Sequence, residues 1–210
     1  MAEIPGDWLP RLRRRLAPSP LHAREHWRLG HLPVTQVAAY ATLVPEDPRP
    51  AAVLVPIVDS AAGPALLLTR RAGHLRQHAG QVSFPGGRIE ASDLSPLGAA
   101  LREAREEIGL DAGLVEPLGY LADHVVRTGY RITPVVAHVR AGFRVQADES
   151  EVAEVFELPL SRCQADCLLT VSREVMGVDY QSREIHHEGR VVWGATAGVI
   201  ISLMDLLEEP

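Results

Sequence analysis

Glu103, Glu106 and Glu107 stand at i, i+3 and i+4 in the segment ALREAREEIGL. On a helix they share one face, where each like-charged pair costs roughly 0.2–0.5 kcal/mol. They also fall in the last turns before Gly109, where the helix dipole already disfavours anions. Carboxylates gathered there call for a cation. An all-oxygen donor set suits Mg²⁺ or Mn²⁺ rather than zinc, which favours His and Cys, and magnesium points to phosphate chemistry. Just upstream, Phe84-Pro85-Gly86-Gly87 ends an apolar run at a tight turn. Two glycines there let the backbone approach a metal or a phosphate without an intervening Cβ, so turn and helix together make one candidate site.

The element that must carry the carboxylates is well delimited. Ser95 is a natural N-cap, Pro96 suits the first helical position, and Gly109 stands just past the end. Leu97, Leu101, Ala104 and Ile108 repeat at helical spacing. They predict an apolar stripe against a core, with the acidic trio pointing away from it.

These residues resemble the signature of the Nudix hydrolases, G-x5-E-x7-R-E-U-x-E-E-x-G-U, with U a bulky aliphatic. Gly87 supplies the first glycine, Asp93 stands in the place of the glutamate, and Arg102, Glu103, Glu106, Glu107, Gly109 and Leu110 supply the rest. Two departures, eight residues rather than seven between Asp93 and Arg102 and Ala104 at an aliphatic position, resemble the branch that hydrolyses coenzyme A. That branch carries a second pattern, L-L-T-x-R-[SA]-x3-R-x3-G-x3-F-P-G-G. Here Leu67, Leu68, Thr69, Arg71, Ala72, Arg76, Gly80 and Phe84 to Gly87 fill every fixed place. Further segments, Thr133 to Val136 and Val192 to Thr196, also look like that branch, and the resemblance covers about residues 35 to 205.

The resemblance implies a small-molecule substrate, coenzyme A or a related nucleotide, cleaved at its pyrophosphate with Mg²⁺ or Mn²⁺. It implies Glu103 and Glu107 as metal ligands, Glu106 as ligand or base, and a carbonyl of Gly86 or Gly87 completing the shell. Arg102 is expected to pair with Asp93 and tie the loop to the helix. Glu151 and Glu154 are candidates for the general base, beyond the strands where a loop could fold back. Arg70, Arg71 and Arg76 are expected to hold phosphate, including the 3′-phosphate of coenzyme A. His74 and His78 lack a third ligand and read as packing or substrate-side residues. His186 and His187, adjacent on a strand, point to opposite faces, so at most one could enter a site. Other substrates stay open: ADP-ribose, NADH or nucleoside triphosphates. A non-catalytic sensor is a third reading, but such proteins commonly lose the carboxylates and add a DNA-binding module, and this chain does neither.

Composition removes other chemistries. All 21 residues counted as Lys+Arg are arginine. A phosphate loop with its lysine and a Schiff-base lysine are therefore both excluded. A net charge of −6, with no run of like charge longer than Arg13-Arg14-Arg15, argues against nucleic acid. No apolar stretch reaches the length of a membrane span and MAEIPGDWLPRLRRRL lacks a signal-peptide core, which predicts a cytoplasmic protein. Cys163 and Cys167 have no companion ligands and read as packing residues. A homodimer stays open.

The expected organisation is an N-terminal helix and linker over residues 1–34, followed by one hydrolase domain over 35–210. Residues 7 to 29 carry Trp8, Leu9, Leu12 and Leu16 at helical spacing, with a Pro-Ser-Pro break. Ala51 to Val58 and Ala65 to Thr69 read as a hairpin, and Gly119 to Val126 and Ile132 to Val139 as strands. Ser150 to Phe156 reads as a short helix or turn, Val175 to Tyr180 and Ile185 to Trp193 as a late hairpin, and Ala195 to Leu207 as an amphipathic helix. The sum is an α/β protein. The resemblance makes it the Nudix fold, a mixed β-sheet sandwiched between α-helices.

Overall fold

The central strand β1 (Arg49–Ser60) is buried on both faces for most of its length, and the rest of the structure is arranged around it. The computed structural model describes residues 4, 6–16, 41–61, 63–75, 78–175 and 177–208. Along β1, Ala52 and Leu54 face one layer while Val55 and Ile57 face the other, the period-2 consequence of a pleated strand. β1 pairs in parallel with β7 (Tyr130–Val139) over ten residues, and antiparallel with β2 (Gly63–Arg71). The sheet runs β3 (Val82–Ser83), β2, β1, β7, β5 (Val115–Tyr120). β4 (Gly86–Arg88) is added on β1, β6 (His124–Val126) on β7 and β8 (Val152–Pro159) on β2. A second, antiparallel sheet has the order β11 (Arg190–Val192), β10 (Val178–His187), β9 (Leu168–Val175).

Helices cover both faces of the large sheet. α2 (Pro96–Ile108) lies on one, through Ala99, Ala100, Ala104 and Ile108 against Ala52, Leu54, Val135 and Ala137. Three alanines on the contact face let the helix axis approach the strands closely. The other face is covered by α1 (Trp8–Leu16) and α3 (Gly194–Glu208). α1 buries Trp8, Leu12 and Leu16 in this core. Three of its arginines are engaged: Arg11 donates to the Leu207 carbonyl at 3.1 Å, Arg15 to that of Leu206 at 2.8 Å, and Arg13 grips Glu116 with two bonds of 2.8 and 2.9 Å. Two guanidinium groups thus satisfy carbonyls at the negative end of α3. The expected domain boundary at 34/35, the Pro-Ser-Pro break and the linker expected after it lie outside the described residues.

Four expectations are corrected. Ser150 to Phe156 is not helical: Val152–Pro159 is β8, antiparallel to β2, with Val152, Phe156 and Leu158 buried. Its apolar spacing fits both periods, and the free edge of β2 decides between them. The late hairpin is a three-stranded meander, because Gly177, at φ 77°, turns the chain inside the stretch read as one strand. Gly119 to Val126 is two strands, β5 and β6, separated at Leu121–Asp123. α3 is buried on most of its surface rather than amphipathic, enclosed by the sheet, α1 and β10. The cysteines are free, Cys163 buried and Cys167 half-buried. No helix among the described residues is long and apolar enough to cross a membrane.

Candidate active site

β4 is pinned onto β1, Gly87 opposite Ala52 and Gly86 opposite Val53, and the Leu54 amide donates to the Pro85 carbonyl at 2.9 Å. Gly86 has φ 153°, and a Cβ there would lie 2.4 Å from the Ala52 carbonyl oxygen. At Gly87 a Cβ would lie 2.5 Å from Oε1 of Glu103. Carboxylates therefore press directly on the glycine backbone, which is what two adjacent glycines permit. Gly86→Ala is expected to lower stability by about 2 kcal/mol or more, because backbone rather than a flexible side chain must yield. An unchanged denaturant midpoint would contradict this.

α2 delivers the acids as its caps dictate. The Ser95 hydroxyl accepts from the Gly98 amide at 3.1 Å, and Gly109 closes the helix at φ 72° with its amide bonded to the last turn. Glu107 does not point away from the core, as the stripe suggested, but is only 4% exposed. Its Oε2 accepts from the Gly86 amide at 3.2 Å. The buried arc of α2 is wider than the Leu97–Ile108 stripe, because β4 roofs the side on which Glu107 emerges. Burial pushes Glu107 up to about 8, opposed by the Gly86 amide and by Arg71, and reinforced by Glu103 and Glu151. Burial raises Glu103 as well, against Arg102 and with Glu106 and Glu151.

Arg102 organises the cluster. It holds Asp93 with two bonds of 3.1 and 3.0 Å, Glu103 at 2.9 Å, Glu106 at 3.1 Å and the Arg88 carbonyl at 3.1 Å. This guanidinium holds Asp93 below its ordinary range, helped by the Glu90 amide. The chain 146–151 folds back across the end of α2: Gln146 and Asp148 amides donate to the Ile108 and Glu107 carbonyls at 2.9 and 3.0 Å. That return brings Glu151 close enough to raise both Glu103 and Glu107. Mutually repelling carboxylates, one buried and one half-buried, against a glycine backbone are a donor set suited to a hard divalent cation. Among the described residues no three acidic, histidine or cysteine side chains are gathered at one point, and Glu106, bonded to Arg102, is the most exposed of the helix acids.

Arg70 and Arg71, neighbours on β2, separate where the register with β8 shifts past Ala153. Arg71 reaches to 3.8 Å from Glu107 and lines the cleft beside it. Arg70 turns the other way and bonds Glu154 at 3.0 Å. Glu154 is also held by Arg190, so neither Arg70 nor Glu154 reaches the acidic cluster. Both border a second hollow of about 560 Å³ whose arginines and acids are largely paired. Arg76 lies outside the described residues. His78, at φ 57°, bonds Gln81 at 2.7 Å and lines the cleft, whereas His74 is exposed. His186 bonds Glu184 at 2.9 Å and His187 lies 3.9 Å from Glu188, and neither lines the cleft.

The cleft itself, about 450 Å³, opens from Gly86 and Gly87 towards β10 and the start of α3. Arg71, Arg88, Arg127 and Arg183 line it, and no aspartate or glutamate does. Tyr130, Tyr180 and Trp193 add aromatic faces, Trp193 lying under the Arg173 guanidinium at 4.6 Å. In a chain of net charge −6, an acid-free hollow lined by four arginines has the charge that suits an anion. The wall from β10 was missed in the sequence, where nothing separates Arg183 from an ordinary surface arginine.

The model of the NUDIX domain matches residues 48–175. Two relatives, each called an uncharacterized Nudix hydrolase NudL, come from Yersinia pestis (strain Pestoides F) and Yersinia pseudotuberculosis serotype O:1b. Each is 43% identical over 164 residues, covering 72% of this chain and 76% of the relative. Among solved structures, the Nudix hydrolase RenU from M. smegmatis is 26% identical with a TM-score of 0.46, covering 54% of this chain and 72% of that one.

Proposed function

The chain belongs to the Nudix hydrolases, enzymes acting on pyrophosphate bonds of small nucleotide substrates, and on that premise we propose that its substrate is coenzyme A. Water attacks one phosphorus of the pyrophosphate, the P–O bond to the other breaks, and the products are 4′-phosphopantetheine and adenosine 3′,5′-bisphosphate. The observation that carries this reading is the acid-free, four-arginine cleft adjoining the carboxylate cluster. It suits a ligand with more phosphate than a single pyrophosphate supplies. The complete upstream pattern from Leu67 to Gly87 supports the same substrate.

Glu103, Glu107 and Glu106, with a carbonyl of Gly86 or Gly87, would hold Mg²⁺ or Mn²⁺, which when bound neutralises phosphate oxygens and acidifies water. Glu151 is the group proposed to take the proton of the attacking water, because it alone of the two base candidates reaches the cluster. Arg102 positions the helix acids against the turn, and Arg71, beside Glu107, meets the pyrophosphate. We assign the reaction to the cytoplasm.

Side-by-side kcat/KM values for coenzyme A, ADP-ribose, NADH and a nucleoside triphosphate, with Mg²⁺ or Mn²⁺ and mass identification of products, test the assignment. Coenzyme A is expected to lead. Faster turnover of ADP-ribose or NADH would move the substrate to that class and leave the pyrophosphate chemistry in place.

A further inference from the structure

We propose that Arg183 forms a separate subsite for a phosphomonoester of the substrate, distinct from the arginine that serves the pyrophosphate. This rests on the reading of the cleft as the substrate site. β10 carries Arg183 into the cleft by simple alternation: Ile185, on the same face, is anchored in the core opposite Val192, and the side chain two residues earlier emerges where the core gives way to the hollow. The Nε of Arg183 is buried and has no hydrogen-bond partner among the described residues. A buried guanidinium N–H without an acceptor is costly, and an anion entering the cleft is the acceptor it lacks. No other side chain of the cleft wall can neutralise it, because none is acidic.

Arg71 also has a buried Nε without an acceptor among the described residues, and the two arginines differ instead in their ion pairs and in the strands that carry them. Arg71 lies against Glu107, one of the proposed ligand carboxylates, and comes from the strand that feeds the glycine turn. Arg183 comes from the second sheet and has no ion pair among the described residues. The wall beside it holds Gly194 and Ala195, at the first turn of the 15-residue helix α3, whose positive end favours the same charge. Trp193, fixed by Arg173, which is itself bonded to the buried Glu184, offers a flat face next to this corner. A planar base against Trp193 with its phosphomonoester on Arg183 is the ligand chemistry these groups accept.

The test measures binding and turnover separately on the full chain. Calorimetry with adenosine 3′,5′-bisphosphate and with AMP reports binding without chemistry. The kcat/KM ratio of coenzyme A to dephospho-coenzyme A reports the same discrimination during turnover. The unaltered protein is expected to prefer the phosphomonoester-bearing partner of each pair by roughly tenfold or more, the scale of one charge-assisted contact. Arg183→Gln should bring both ratios close to one, and Arg183→Lys should restore part of the preference. No preference in the unaltered protein, or an Arg183→Gln loss equal for both members of each pair, would overturn the subsite. An Arg183-dependent preference for the bisphosphate in a protein that fails to hydrolyse coenzyme A would keep the subsite and remove the substrate.

Discussion

Glu107→Gln is expected to reduce turnover by about a hundredfold or more while leaving the fold intact. Even residues that only orient metal ligands are worth about 10–100-fold, so loss of an anionic ligand should cost at least that much. Gln keeps an oxygen that can accept from the Gly86 amide, so the packing of α2 against β4 has a partner for its buried N–H. Glu103→Gln should behave similarly. Near-normal rates of both variants at saturating Mg²⁺ would rule out the proposed metal face. A second readout needs no turnover. Burial raises Glu107 from near 4.5 to about 8, so in the metal-free protein the folded state binds this proton more tightly than the unfolded chain. The resulting stability is fully present below about pH 4.5 and is lost as pH rises through about 8. Chelated protein should therefore lose stability across that window, and Glu107→Gln should flatten the loss. A pH-independent difference between the two proteins would contradict the raised, burial-dominated titration of this carboxyl.

Arg102→Ala is expected to lose both activity and stability. One guanidinium serves Asp93, Glu103, Glu106 and the Arg88 carbonyl, and its removal leaves three carboxylates without their shared cation. Breaking a fully buried pair costs about 3–5 kcal/mol, but Arg102 is partly exposed and Glu106 largely so, which places the expected loss at roughly 2–3 kcal/mol. In a chain of this size that is a fall in Tm of roughly 5–10 °C. Activity should fall further than stability explains, because Glu103 and Glu106 lose the contact that sets their rotamers. Arg102→Lys, a single point charge without the fork that meets both Asp93 oxygens, should recover part of the stability and little of the rate. An unchanged Tm together with unchanged metal affinity in Arg102→Ala would make the residue an ordinary surface charge.

What was legible in the sequence were features decided locally. Ser95, Pro96 and Gly109 delimit α2 because capping is a matter of a few adjacent backbone groups. The hairpin of β1 and β2 and the pairing of Arg102 with Asp93 follow from similarly short-range or motif-level signals. What was not legible depends on partners far along the chain. β8 is a strand only because β2 offers an unpaired edge to it, 84 residues away in the pairing of Arg70 with Glu154. Glu107 is buried only because β4 lies over it. Arg70 and Arg71 look equivalent in a run of basic residues, yet the strand sends one to Glu154 and the other towards Glu107. The far wall of the cleft, from β10 and α3, belongs to a segment whose strand boundaries the pattern misread at Gly177.

The clasp of α1 on α3 also sets an order of events during synthesis. Arg11 reaches a carbonyl 196 positions later, and Trp8, Leu12 and Leu16 share their core with Val199, Leu203 and Leu207. A ribosome makes the first of these groups long before the second, and at about 5–20 residues per second the interval is roughly 10–40 s. Throughout that interval the apolar side of the nascent α1 has no native cover from α3. The native cover of α1 is thus completed only once the chain has grown 196 positions past Arg11, so the N-terminal helix cannot be a folding unit by itself and gains its place late.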